Sequence, residues 1–280
     1  MPPTLWTADE HPPGGEHVRR EMEERRQRLY RLQAIVLRRT DVGEADRLLT
    51  VLSAEQGKRQ LLAKGARKTL SRKAGHIELF TRTHLLVARA RTWDIISQAE
   101  MAAAYPRLRQ DLMRTTYAYY VAEMVDRFTE EGEEVLPLFE LVRETLERLD
   151  AGDDPYLVVR FFDLHLLALA GYQPQFFLCV RCRSDLQPVT NYFHPEDGGV
   201  LCPRCGEGLA SAEPVALNTL KVLRFLQTHE YEAVSRLRLS EGVRVEAEQL
   251  LYRYIVYVLE RRLKTVDFLW SLRRQMGWAA

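Results

Sequence analysis

Nothing in the sequence announces a chemical reaction. There is no G-x-x-x-x-G-K-[ST] loop for a nucleoside triphosphate, no G-x-G-x-x-G, no H-E-x-x-H and no G-x-S-x-G. The seven histidines are scattered, and none pairs with another at metal-ligand spacing. The acidic run EEGEE, Glu130–Glu134, reads as a solvated turn between helices, not as a nuclease metal site. These absences argue against an enzyme and for a binding protein. No apolar run reaches the roughly 20 residues that a membrane span requires. The N-terminal MPPTLWTADEHPPGGEHVRR has no apolar core that would make it a secretion signal. A cytoplasmic protein is the expectation. Cysteine is nearly absent too: four in 280 residues, all between Cys179 and Cys205.

Net charge is likewise small, a formal +1, but it hides a contrast. Residues 30–105 carry fourteen Lys or Arg against seven Asp or Glu, whereas residues 106–280 carry twenty-one against twenty-six. Such asymmetry points to one module that faces a polyanion. Within it, KRQLLAKGARKTLSRKAG, Lys58–Gly75, holds seven cations and no acid. A basic surface neutralises phosphates and releases condensed counterions, which gives affinity without sequence preference. Lys64 and Arg67 flank Gly65, where the backbone can come close to a phosphate, and Lys68, Arg72 and Lys73 extend the track. Arg38, Arg39 and Arg47 on neighbouring strands, and Lys58 and Arg59 at the head of the segment, complete the candidate nucleic-acid-binding set. Aromatic platforms for stacked bases are scarce here: Phe80 and Trp93 are the candidates, and each suits a core better than a surface platform. The scarcity favours backbone contact over base reading.

The same module is punctuated like a small β-protein. RLQAIVLRRT, RLLTVLSA, KRQLLAK, THLLVARA and WDIISQAEM read as five strands, with turns at Glu55–Gly57 and at Arg91–Thr92. Five short strands suit an OB-type or an SH3-like barrel, and periodicity does not separate the two. After Tyr105 the apolar spacing becomes three and four. Helices are expected over 108–128, 135–149, 154–171, 216–230 and 245–263, the third with Asp154–Pro155 at its start and Gly171 at its stop. Residues 1 to about 18, rich in Pro, Gly and Glu, cannot offset their ordering entropy, and the charged segment after them would make a solvated helix.

Between the third and fourth helices lie Cys179, Cys182, Cys202 and Cys205, two C-x2-C pairs nineteen residues apart. That spacing fits a tetrathiolate zinc site better than a redox pair. Four thiolates close the tetrahedron, so the metal would be structural, folding a segment too small to fold alone. VTNYFH and GGVLC read as a hairpin within it, and His194 as an exposed loop residue.

Taken in order, these segments resemble the RecO family of recombinational repair mediators. The likeness runs from Leu29 onward: RLQAIVLRRTDVGEADRLLTVLSAEQGKRQLLAKGARKTLSRKAG for the N-terminal barrel, LRQDLMRTTYAYYVAEMVDRFTEEGEEVLPLFELVRETLERLD for the helical domain, and FFDLHLLALAGYQPQFFLCVRC for the helix that enters the first cysteine pair. The leader before it departs from the family pattern. The resemblance implies an α+β multidomain chain: an OB-fold five-stranded barrel over 29–105, an α-helical domain over 106–178 and 210–280, and a four-cysteine zinc-binding insert over 179–209; the leader over 1–28 is expected, from its own residues, to be disordered or helical. It implies binding of single- and double-stranded DNA, annealing of complementary strands without ATP, and work with RecR to help RecA displace single-strand-binding protein. The partners would be DNA, RecR, the acidic Phe-ending tail of that binding protein and, indirectly, RecA, in the cytoplasm at the nucleoid. A groove for the tail would lie on the helical domain, where Arg127 beside Phe128 and Arg160 beside Phe161 have suitable chemistry. The competing reading is a non-enzymatic RNA-binding or protein-assembly adaptor built on the same barrel and zinc.

Overall fold

The computed structural model describes residues 28–133 and 136–275, so all but the last residue of the leader expected over 1–28 lies outside the described residues. Strands β1 (Leu29–Val42), β2 (Asp46–Ser53), β3 (Gly57–Ala63), β4 (Arg82–Ala88) and β5 (Asp94–Ala103) fall within two residues of the strands expected. They close in the order β1-β2-β3-β5-β4. All ladders are antiparallel except β3 with β5, which touch only at Leu61–Asp94 and Leu62–Ile95. This closed Greek-key barrel of OB type settles what periodicity left open.

Alternation explains the inside of the barrel: Leu32, Ala34, Val36, Leu49, Val51, Leu61, Leu85, Val87 and Ile96 point inward and are buried. The sequence Ala34–Leu37 is apolar without alternation because the other face of β1 and β2 is covered as well. Ile35, Leu37, Leu52 and Phe80 belong to the core of the helical part. Phe80 is therefore not a stacking platform. It is buried in a left-handed conformation (φ 63°), with its ring edge-on to Tyr119 at 5.0 Å.

The helical part contains α1 (Pro106–Gln110), α2 (Leu112–Phe128), α3 (Leu136–Ala151), α4 (Pro155–Leu169), α6 (Leu217–Thr228), α8 (Glu241–Leu259) and α9 (Lys264–Gln275), with single turns α5 (Pro203–Gly206) and α7 (Tyr231–Val234). The one helix expected over 108–128 is broken. Asp111 is extended, and its carboxylate accepts the Arg114 amide at 3.0 Å, capping α2. Helix α4 begins and ends where expected: Asp154 accepts the Tyr156 amide, and Gly171, at φ +80°, lets the Tyr172 amide reach the Leu167 carbonyl at 2.7 Å. Helix α9 was not expected. The Glu123 carboxylate on α2 caps it, accepting the Lys264 and Thr265 amides.

Barrel and helices are joined by more than apolar contact. The acidic turn after α2 docks on the edge of β3 that β5 leaves open: Glu131 accepts the Gln60 amide at 3.1 Å, and the Gly132 amide donates to the Lys58 carbonyl at 3.0 Å. The turn expected to be merely solvated thus completes the barrel wall, because an unpaired strand edge needs partners.

Candidate nucleic-acid interface and metal centre

The cationic loop after β3 is a strut rather than a free arm. Gly65, at φ +66°, turns the chain, and its amide donates to Asp46 Oδ1 at 2.7 Å. The Arg67 amide then donates to the Ala45 carbonyl at 2.9 Å, which ties the loop to the β1–β2 turn. Beyond the apex, Lys73 Nζ donates to the Ile96 carbonyl at 2.8 Å and the Met101 amide donates to His76 Nδ1 at 3.1 Å, which ties it to β5. Desolvation in that position lowers the Lys73 pKa. Ala66 and Ile77 enter the barrel core. The physical reason is the gap between β3 and β5: a two-pair ladder leaves β5 donors and acceptors for the loop to satisfy.

The ten candidate cations separate into three groups of three and one anchor, Lys73. Lys64, Lys68 and Arg72 are exposed, with no hydrogen bond or ion pair from their side chains among the described residues. Arg39, Arg47 and Arg67 crowd beside them around two carboxylates: Arg39 meets Glu78 at 2.5 Å, Arg47 meets Asp41 at 3.1 Å, and Arg67 meets Asp41 at 3.3 Å. Three cations on two acids leave the cluster with excess positive charge, continuous with the loop. Lys73 is the strut's far anchor. The remaining three lie apart. Lys58 stands at the opposite end of β3, about 20 Å of strand from Lys64, and its ammonium is sequestered by the Asp126 carbonyl (2.7 Å), Asp126 Oδ1 (3.3 Å) and the Thr129 carbonyl. Arg38 leans towards the same Asp126 at 3.7 Å, and Arg59 is held by Asp94 at 3.3 Å. Lys58 and Arg59 headed the same run of sequence as the loop, and the direction of β3 separates them from it.

Sequence reasoning missed a groove of about 830 Å³ on the outer face of β1, β4 and β5, into which Arg72 opens together with Arg31, His76 and His84. Its signal was the polar alternation of Arg31 and Gln33 on β1, legible only once β4 is known to lie beside β1. Trp93, exposed in the β4–β5 turn, keeps an accessible ring.

In the insert, β6 (Asn191–His194), β7 (Gly199–Leu201) and β8 (Glu213–Val215) form a small sheet in the order β7-β6-β8, the third strand being unforeseen. The four cysteine sulfurs lie within 4.8 Å of one another. Cys182 Sγ and Cys202 Sγ are 3.7 Å apart, against about 3.8 Å for the edge of a tetrahedron with metal–sulfur bonds of about 2.3 Å. The donor set thus fits a tetrahedral thiophilic ion, and Cys179, Cys182, Cys202 and Cys205 could hold one. Donors from Ser184 hold the Cys182 thiol down to about 5, while the neighbouring Cys202 sulfur, with burial, pushes Cys205 up to about 12. Four thiolates this close repel one another unless a cation sits among them. Gly206 lets the second knuckle lie on Tyr192, since a Cβ there would come within 2.5 Å of the Tyr192 side chain.

His194 is not an exposed loop residue. It is buried on β6, with Nε2 2.7 Å from the Ser211 hydroxyl and Nδ1 accepting the Asp197 amide at 3.2 Å, and Asp197 in turn binds Arg181 of the first knuckle at 2.6 Å. On the helical part, Arg160 is buried rather than surface-facing: it lies 3.0 Å from Asp163 and 4.0 Å from Glu248, so it cannot meet a partner's tail. Arg127 is exposed, 3.9 Å from Glu123, and Phe128 packs edge-on to Tyr172. No described helix is long and apolar enough to cross a membrane.

Comparison with known proteins agrees with this geometry. The family model described as Recombination protein O N terminal matches residues 27–105, and the one described as Recombination protein O C terminal matches residues 109–267. The chain is 43% identical over 251 residues to DNA repair protein RecO of Roseiflexus sp. (strain RS-1), covering 90% of this chain and 88% of that protein. It is 36% identical over 244 residues to DNA repair protein RecO of Dehalococcoides mccartyi (strain ATCC BAA-2100 / JCM 16839 / KCTC 5957 / BAV1), covering 87% and 96%. To DNA repair protein RecO of Pelotomaculum thermopropionicum it is 38% identical over 242 residues, covering 86% and 94%.

Proposed function

The chain belongs to the RecO family of DNA repair and recombination proteins, and on that premise we propose that it is a non-enzymatic mediator that binds single- and double-stranded DNA, anneals complementary strands without ATP and, with RecR, helps load RecA onto DNA coated by single-strand-binding protein. One observation carries the reading: a braced loop on an OB-type barrel presents Lys64, Lys68 and Arg72 beside the Arg39–Arg47–Arg67 cluster.

Pairing of two strands is opposed by repulsion between their phosphates. A fixed row of cations lowers that repulsion for whichever strand lies on it; counterion release drives the binding, base pairing itself drives the annealing, and no fuel is consumed. Bracing matters: cations already held in place lose little entropy on binding. Arg67 and Arg47 exchange Asp41 for phosphate at small cost, since half-exposed ion pairs contribute little. The division of labour follows the barrel over 29–105, the helical domain over 106–178 and 210–280, and the insert over 179–209, with one structural Zn2+ on the four cysteines and a groove for the tail of single-strand-binding protein on the helical side. Arg127 beside Phe128 is the pair there that a tail could reach. Such a protein works in the cytoplasm, at the nucleoid.

The test is annealing of complementary oligonucleotides, bare and coated with single-strand-binding protein. Replacing Lys64, Arg67 and Lys68 together by Glu should lower affinity for DNA at least tenfold at about 0.1 M salt, flatten its salt dependence and abolish annealing while zinc content and melting temperature hold. Unchanged affinity would sink the reading. Tighter binding to RNA than to DNA of equal length would favour the RNA-binding adaptor instead.

A further inference from the structure

At the apex of the braced loop stands Leu70. Its exposure is 93%, and the next most exposed large apolar residue among those described, Leu112, reaches only 59%. The loop does not lack a core to offer it: Ala66 and Ile77, on either side, are inserted in the barrel. Two successive tight turns hold the apex out. The Lys68 amide donates to the Gly65 carbonyl at 3.2 Å and the Ser71 amide to the Lys68 carbonyl at 2.9 Å, so Thr69 and Leu70 form the tip of the second turn. Both flanks are anchored, to the β1–β2 turn and to β5. The side chain is surrounded in sequence by Lys64, Arg67, Lys68, Arg72 and Lys73, with no acid between Gly57 and Ile77.

We propose that Leu70 is a wedge that enters the base stack of the nucleic acid whose phosphates lie on the flanking cations. This rests on the DNA-binding reading above and gives that surface a second contact, with the bases. An apolar side chain inserted at a step unstacks it at a cost offset by burial of the side chain and by the phosphate contacts that the distortion permits. A wedge works only if its base is stiff, and the anchors supply the stiffness. An acidic protein tail is a poorer occupant, because Leu70 projects into solvent at 93% exposure and offers no pocket for an apolar chain end. For annealing, an opened stack leaves base edges ready to pair while the cations hold the backbone, and the contact reads no sequence.

The experiment uses the full zinc-loaded chain and oligonucleotides with 2-aminopurine at an internal position, whose fluorescence rises on unstacking. The wild-type protein should raise the signal on binding. Leu70→Ser should remove at least two-thirds of that rise and slow annealing about fivefold, with the slope of log affinity against log salt unchanged, because no phosphate contact is lost. Leu70→Met should behave as wild type. A signal and annealing rate unaffected by Leu70→Ser would overturn the proposal, as would wild-type binding with no rise at all. Failure of the DNA-binding reading itself looks different: the Lys64, Arg67, Lys68 triple variant would keep its affinity, whatever Leu70 does.

Discussion

His165 shows how a single titratable group is tuned by what lies against it. On α4 its ring stacks on Phe161, with centroids 3.8 Å apart, and Nδ1 donates to the Phe161 carbonyl at 2.8 Å. Burial lowers its pKa below the ordinary 6.5, with Arg148 acting in the same direction and the Phe161 carbonyl against it. A depressed histidine is neutral in the fold and charged when unfolded at the same pH. Below pH 6.5 the unfolded chain therefore binds the extra proton, and this contribution to stability is present above 6.5 and lost as pH falls from there towards the folded pKa. His165→Phe, which keeps the stack, should flatten that part of the stability profile in denaturant melts between about pH 7 and 5. An unchanged slope would show that another group titrates there.

The smallest element with its own logic is the cysteine insert. Its three strands are of four, three and three residues, too short to hold a sheet by apolar burial alone. One face reaches the main core through Phe193, edge-on to Tyr254 at 5.5 Å, and the other closes on the sulfurs. Bound metal should account for the stability of that second face. Elemental analysis is expected to find one zinc per chain. A strong chelator, or Cys179→Ser with Cys182→Ser, should remove it and expose the knuckles to protease while the barrel stays folded. Stoichiometric loss of zinc with no change in proteolysis would show that the insert holds without it. The element boundaries expected from sequence were accurate where a cap or stop is local, as at Asp154 and Gly171. They failed at Asp111, whose capping role competes with an uninterrupted apolar period.

At the scale of the whole molecule, the barrel and the helices are locked at Lys58. Its ammonium caps the last turn of α2, where carbonyls lack partners and the helix dipole favours a cation. Lys58→Ala should cost about 1–3 kcal/mol, the range for a lost charge-assisted bond that leaves buried acceptors unpaired. Denaturant melts measure this, and affinity for DNA should stay within about twofold of wild type. A variant that is stable but binds DNA tenfold more weakly would return Lys58 to the interface. A second whole-molecule feature is the buried lattice of the helical part, in which Tyr120 donates to Asp163 at 2.8 Å, and Arg273 binds Glu248 at 2.6 Å. There desolvation pushes the Asp163 carboxyl up to about 6 despite Arg160 beside it. Partners of Arg160 come from α8 as well as α4, which is why adjacency to Phe161 suggested a surface role that the fold denies.

Sequence by itself determined the parts whose cause is local: strand alternation, the start and stop of α4 at Asp154 and Gly171, the spacing of Cys179, Cys182, Cys202 and Cys205, and the one-signed charge of Lys58–Gly75. Tertiary structure alone decided which of those charges stand together. Strand direction carries Lys58 and Arg59 away from Lys64, antiparallel pairing brings Arg39 and Arg47 alongside Arg67, and the short β3–β5 ladder leaves a gap that the loop spans. The reason is physical: charge is a property of each residue, but the field a polyanion meets depends on distances set by pairing between segments far apart in the chain.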